Sequence, residues 1–148
     1  MYFFSFIETN GVSQNHPIIA YTKNKKILVD TGIGDYHHPK FNSMFAVKQN
    51  ESPLINVLEE ISINPDEITD IILTHLHFDH TAGIVDLPKH IPYVAGKGER
   101  YANFRFFMQS EHLAGIDQLH EIDFAAGIDL SPLGKGVDVY GDGSLWAI

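Results

Sequence analysis

Residues 74–81 read Thr-His-Leu-His-Phe-Asp-His-Thr, and this stretch decides how the rest of the chain is interpreted. Three imidazoles and one carboxylate lie within six positions, at His75, His77, Asp79 and His80. Zinc accepts both kinds of ligand, and the H-x-H-x-D-H spacing lets one short loop face two metal ions. The alternative is an ordinary His-rich surface loop, but an apolar run at 71–73 enters the segment and Gly83 closes it. We therefore predict a metal-binding loop that follows a buried strand.

The spacing also divides the four ligands between two ions. His75 and His77 project to the same side of an extended segment, so both can reach one ion. Asp79 and His80 follow where the chain must turn, and they can point to a second ion. Two zinc ions about 3.5–4 Å apart would share one water, which ionises near neutral pH and becomes a nucleophile. This predicts hydrolysis of a polarised carbonyl or phosphoryl bond, with Asp79 as a catalytic residue that also accepts the proton of that water.

Composition limits the other classes of function. The chain has 148 residues, 44% of them hydrophobic, so we expect a single domain over 1–148 with a sizeable core. The net charge of -9 opposes binding to phosphate backbones, so no nucleic-acid partner is expected. There are no cysteines, which removes thiolate from the possible metal ligands and suits a cytoplasmic protein. The apolar segment 1–7 lacks a basic leader, and no run of about 20 apolar residues predicts a membrane span.

Strand and helix patterns alternate along the chain, which predicts an α/β fold with its sites on loops at strand ends. Strands are expected at 2–7, 17–22, 26–30, 68–73, 91–95, 119–124, 137–140 and 145–148. A helix is expected from Ser52-Pro53 to Asn64-Pro65, and further helices at 81–85 and 98–107. Residues 33–50 are interpreted as a long loop.

The motif resembles the metallo-β-lactamase superfamily, and Asp30-Thr31-Gly32 after an apolar strand is similar to the D-T-G turn of that family. The resemblance implies an αββα sandwich. It also implies that His75 and His77 bind the first zinc and that Asp79 and His80 bind the second. Asp30 would then brace the histidine loop, although a turn-forming Asp at a strand end is an equally good reading of that residue alone.

Within the superfamily, residues 63–74 and the Gly-Asp-Gly-Ser segment at 141–144 resemble the N-acyl homoserine lactonase branch. This implies a zinc-dependent hydrolase that acts on a small-molecule lactone or related ester through a metal-bound hydroxide. A thioester hydrolase of the glyoxalase II type is the closest alternative.

The resemblance covers only the N-terminal half of the family fold. The family's third histidine, bridging aspartate and last histidine cannot be placed before Ile148, so this chain offers two ligands to each of the two zinc ions of a complete domain. A truncated, non-catalytic module with an incomplete metal site is therefore a second hypothesis. Half a sandwich would also leave sheet edges open, which favours a homo-oligomer.

Overall fold

The computed structural model describes residues 4–5, 17–34, 53–99, 116 and 118–148. The strands are β1 (Phe4–Ser5), β2 (Ile18–Tyr21), β3 (Lys26–Val29), β4 (Asp70–Ile72), β5 (Tyr93–Gly96), β6 (Leu119–Ile122), β7 (Ile128–Asp129), β8 (Lys135–Asp138) and β9 (Trp146–Ala147). The α-helices are α1 (Pro53–Glu60) and α2 (Phe78–Thr81), and 3-10 turns form at Pro65–Glu67, Ala82–Asp86 and Phe124–Ala126. Most of the predicted loop at 33–50 and of the predicted helix at 98–107 lies outside the described residues.

Six strands form one sheet in the order β1 to β6. β1, β2 and β3 pair antiparallel, whereas β3, β4, β5 and β6 pair parallel. Strands β7, β8 and β9 form a second, antiparallel sheet. The prediction of an α/β fold is confirmed, and the parallel strands β3 to β6 all end at the same edge of the larger sheet.

The core lies between one face of the larger sheet and helix α1. A single row of paired residues crosses that face, in the order Ile19, Leu28, Ile71, Tyr93 and Leu119. The first four are buried, and Leu54 and Leu58 of α1 belong to the same apolar cluster. Because Leu54, Leu58 and the partly buried Ile61 recur at helical spacing, one stripe of α1 covers the sheet.

The opposite face of the larger sheet meets the second sheet. A cleft of about 510 Å³ separates them, with Asp70, Val94 and Ile122 on one side and Val137 and Tyr140 on the other. The described residues are therefore arranged as a helix, a sheet and a second sheet in layers. Among the helices of this described part, none is long and apolar enough to cross a membrane.

The hairpin of β2 and β3 is confirmed at its predicted position, closed by a hydrogen bond from Thr22 N to Lys25 O of 3.0 Å. Helix α1 ends four residues earlier than predicted. Asn64 does not end it; its side chain instead accepts from Asp66 N and caps the 3-10 turn that leads into β4. Strand β7 was not predicted, because a pair of exposed residues carries no alternation of polar and apolar positions.

The turn between β2 and β3 is tied to both sheets by Lys25. Its Nζ lies 2.8 Å from Asp70 Oδ2 and 4.4 Å from the centre of the Tyr140 ring. The Asp70 side chain is only 8% exposed. This lysine is therefore the counter-charge of a buried carboxylate and a cation–π contact between the two layers.

Replacing Lys25 by Ala is expected to lower the free energy of unfolding by about 1–3 kcal/mol, because the Asp70 carboxylate loses its charged partner. Urea unfolding followed by circular dichroism measures the change. The matched control is Lys26→Ala. Lys26 Nζ lies 3.0 Å from Glu67 Oε2, but the Glu67 side chain is 49% exposed and stays well solvated when the lysine is removed. Equal losses in the two variants would show that burial of Asp70 has no special effect.

Candidate metal centre

The histidine loop leaves the carboxyl end of β4, between the two flanking parallel strands β3 and β5. Buried and partly exposed side chains alternate along it. Leu76 and Phe78 are 1% and 7% exposed, whereas the alternate residues His75, His77 and Asp79 have intermediate exposure. The two apolar side chains anchor the loop in the core, so the three polar side chains are held on the opposite side.

The three imidazoles gather at one place. The ring centres of His75 and His77 are 4.5 Å apart in an edge-on arrangement, and those of His75 and His80 are 4.0 Å apart. Asp79 and His80 lie in α2, a single turn of helix that begins directly after His77. The Asp79 Oδ2 to His80 Nε2 distance is 3.8 Å. All four predicted ligands therefore line one small region.

Asp30 lies beneath the loop at the end of β3, with a side chain 13% exposed. Its Oδ2 is 2.8 Å from His80 Nδ1, and its Oδ1 accepts from the backbone N of Thr74 at 2.8 Å. Since a carboxylate can only accept, the His80 Nδ1 atom carries the proton of this hydrogen bond, and in the neutral ring Nε2 then keeps its lone pair. The turn-forming interpretation of Asp30 also has a basis, because its φ of 56° is in the left-handed region.

The backbone of the Asp-Thr-Gly turn packs directly on the segment that follows the histidines. Thr31 N and Thr31 Oγ1 both donate to His80 O, at 2.7 and 3.0 Å, and Gly83 N donates to Gly32 O at 3.0 Å. A Cβ at Gly83 would overlap the carbonyl oxygen of Thr31. The position of His80 thus depends on a contact that only glycine at position 83 permits.

The surroundings of His75, burial first, favour its neutral form. Burial lowers the pKa of His75, and the neighbouring His80 and His77 lower it further, against a smaller opposite effect from Asp30 and Asp79. A neutral imidazole is the form that binds a metal. The four side chains therefore suit zinc in type, and the lowered pKa of His75 favours the form of that ring that binds a metal.

The donor set fits zinc, but it is incomplete for a closed site. Within the described ranges, no three His, Cys, Asp or Glu side chains form a group that could hold one ion. The loop instead presents a His75 and His77 pair beside an Asp79 and His80 pair. Four-coordinate zinc would need further ligands at each ion.

Sequence reasoning assigned no role to Thr74, although it opens the motif. In the structure its hydroxyl is 2.8 Å from Asp30 Oδ2 and 3.2 Å from His75 Nδ1. The signal in the sequence was its place directly before the first histidine of the motif.

Comparison with known proteins gives concordant results. The profile of the metallo-beta-lactamase superfamily matches residues 11–134. An N-acyl homoserine lactonase of Bacillus thuringiensis is 34% identical over 87 residues, which cover 51% of this chain and 35% of that protein. A probable metallo-hydrolase of Mycobacterium bovis is 30% identical over 98 residues, covering 59% of this chain and 31% of that one.

Solved structures show the same fold. A probable metal-dependent hydrolase from Staphylococcus aureus superposes with a TM-score of 0.60 at 25% identity, over 79% of this chain and 46% of that one. An N-acyl homoserine lactone hydrolase with the product N-hexanoyl-L-homoserine bound at its catalytic metal centre superposes with a TM-score of 0.58 at 24% identity, over 79% and 50%. This chain thus spans about a third of the curated relatives and about half of these solved chains.

The profile match extends over most of the chain and includes both the Asp-Thr-Gly turn and the histidine loop. The superposition on the Staphylococcus aureus structure, with a TM-score of 0.60, agrees with this match. The chain belongs to the metallo-beta-lactamase superfamily.

Proposed function

We propose that this protein acts as a zinc-dependent hydrolase of lactones, with N-acyl homoserine lactones as the substrate class. The observation that carries the proposal is the gathering of three imidazoles: the ring centres of His77 and His80 lie 4.5 and 4.0 Å from that of His75, and His80 contacts the Asp30 carboxylate. The similarity to the Bacillus thuringiensis lactonase supports the choice of substrate.

In this proposal His75 and His77 hold one zinc ion, and Asp79 and His80 hold the second. Zinc, when bound, polarises a carbonyl and lowers the pKa of its bound water to about 7. Asp30 orients His80, because its carboxylate holds Nδ1 and directs Nε2 away from the turn. Asp79 has a side chain 37% exposed, so its carboxylate is within reach of solvent and is placed to accept a proton from attacking water.

Replacing His77 or Asp79 by Ala is expected to remove lactone hydrolysis, with a fall in kcat/KM larger than the roughly 10–100-fold typical of residues outside the ligand set. The assay follows ring opening of an N-acyl homoserine lactone by the zinc-loaded protein, with bound zinc counted in parallel. His90→Ala is the matched control, because His90 is an exposed turn residue before β5. Full activity in both ligand variants would refute the assignment.

The same experiment separates the alternatives. A preference for an acyl thioester over the lactone would favour a hydrolase of the glyoxalase II type. A protein that binds no zinc and turns over neither substrate would favour a non-catalytic module, which the absence of a three-ligand group in the described residues supports.

A further inference from the structure

Thr74 is an exposed residue directly before the first histidine of the proposed metal site, on which this inference rests. Its hydroxyl oxygen lies 3.0 Å from Asp30 Oδ1 and 2.8 Å from Asp30 Oδ2 on one side. On the other side it lies 3.2 Å from His75 Nδ1. The hydroxyl is thus within hydrogen-bonding distance of both a carboxylate and an imidazole.

The hydrogen atoms available on these three groups allow only one assignment of donors and acceptors. A carboxylate has no proton to give, so the Thr74 hydroxyl must donate its single hydrogen to Asp30. The same oxygen can then only accept from His75, which requires the proton of the neutral ring to be on Nδ1. In that tautomer the lone pair of His75 is on Nε2.

Asp30 also fixes His80 in the same tautomer, by direct contact at 2.8 Å. One carboxylate therefore reaches two histidines of the loop, His80 directly and His75 through a hydroxyl. The two histidines belong to different ligand pairs of the proposed site. The backbone N of Thr74, which donates to Asp30 Oδ1 at 2.8 Å, keeps the hydroxyl in register with the carboxylate.

We propose that Thr74 is a positioning residue that relays the Asp30 carboxylate to His75 and sets the Nδ1–H tautomer of that ring, so that Nε2 faces the metal. The residue contacts neither substrate nor metal in this scheme. Its effect is to remove the other tautomer, in which a protonated Nε2 could not bind a metal ion.

The test is a nitrogen-15 NMR measurement of the histidine side chains in the metal-free protein, made well above the usual imidazole pKa of about 6.5. We expect His75 to show a protonated Nδ1 and an unprotonated Nε2 in the wild-type protein and in Thr74→Ser, which keeps the hydroxyl. Thr74→Val has nearly the same shape and keeps the backbone hydrogen bond but lacks the hydroxyl, so His75 is expected to become a mixture of tautomers. Thr69→Val is the matched control, since its hydroxyl only donates to Lys26 O at the far end of β4.

A zinc competition titration gives the second readout. Thr74→Val is expected to bind zinc about 10-fold more weakly than Thr74→Ser, the lower end of the range for residues that orient a ligand. An Nε2–H tautomer of His75 in the wild-type protein would overturn the relay, and this result does not depend on any variant folding. An unchanged tautomer in Thr74→Val would overturn it as well.

Failure of the proposed function would look different. If the wild-type protein has His75 in the Nδ1–H form but binds no zinc, the relay is supported and the proposal of a zinc hydrolase is refuted. If the wild-type protein binds zinc but His75 is a mixture of tautomers in the metal-free form, the metal site is supported and the relay is refuted.

Discussion

Gly83→Ala is expected to lower the free energy of unfolding by about 3 kcal/mol or more, at the upper end of the cost of overpacking. The added methyl group would overlap the Thr31 carbonyl oxygen, which is a backbone atom and cannot rotate away. The Cα of Gly83 would also be in close contact with a Cβ at Gly34, so backbone confines Gly83 on two sides. Guanidinium unfolding followed by circular dichroism measures the loss.

The matched control for this prediction is Gly96→Ala in β5. A Cβ there would meet Phe124 Cε2 at 3.4 Å and Glu99 Cγ at 3.6 Å, which are ordinary contacts with side chains. Its cost should therefore stay below about 1 kcal/mol. If both variants unfold at the same denaturant concentration, the close packing of the Asp-Thr-Gly turn on the histidine segment does not limit stability.

Asp30→Ala is expected to weaken zinc binding by about 10–100-fold and to lower the free energy of unfolding by about 2–4 kcal/mol. The substitution leaves Thr74 N, Thr74 Oγ1 and His80 Nδ1 without the acceptor they share. It also places alanine at a φ of 56°, which costs about 1–2 kcal/mol by itself. Isothermal titration with zinc and chemical unfolding measure the two effects.

Asp30→Asn separates the two causes. Asparagine tolerates the left-handed backbone, so most of the conformational cost is avoided. Its amide nitrogen is a donor, however, and would face the donors that now contact one of the two carboxylate oxygens. We therefore expect Asn to restore part of the stability but not the zinc affinity. Zinc binding by Asp30→Asn within about twofold of the wild-type protein would contradict the bracing role of the carboxylate.

The sequence predicted the elements that depend on local pattern. In the apolar run Ile71-Ile72-Leu73, the first two residues lie in β4 and Leu73 follows it, and Ile71 and Leu73 are buried just before the histidine loop. The alternation of Leu76 and Phe78 with polar residues similarly places the polar side chains on one side. A hydrophobic period of two or 3.6 residues can be recognised in the sequence of one segment alone, without knowing what the segment packs against. This explains why these predictions succeed.

Contacts between segments that are distant in the sequence were harder to predict. Asp30 is 50 residues from His80 and 44 residues from Thr74, and nothing local shows that one carboxylate reaches both. The requirement for glycine at position 83 has the same origin, since Thr31 lies against it only after folding. The resemblance to a family suggested a bracing role for Asp30, but the relay through the Thr74 hydroxyl depends on interatomic distances that a sequence does not contain.

Anomalous diffraction at the zinc absorption edge, from crystals of the zinc-loaded protein, tests most directly whether the loop at 75–80 binds zinc as proposed. We expect one peak about 2.0–2.1 Å from ring nitrogens of His75 and His77, and a second about 2.0–2.2 Å from Asp79 Oδ and His80 Nε2. Peaks found only at other histidines, such as His90 or His120, or no peak in the presence of excess zinc, would contradict the claim.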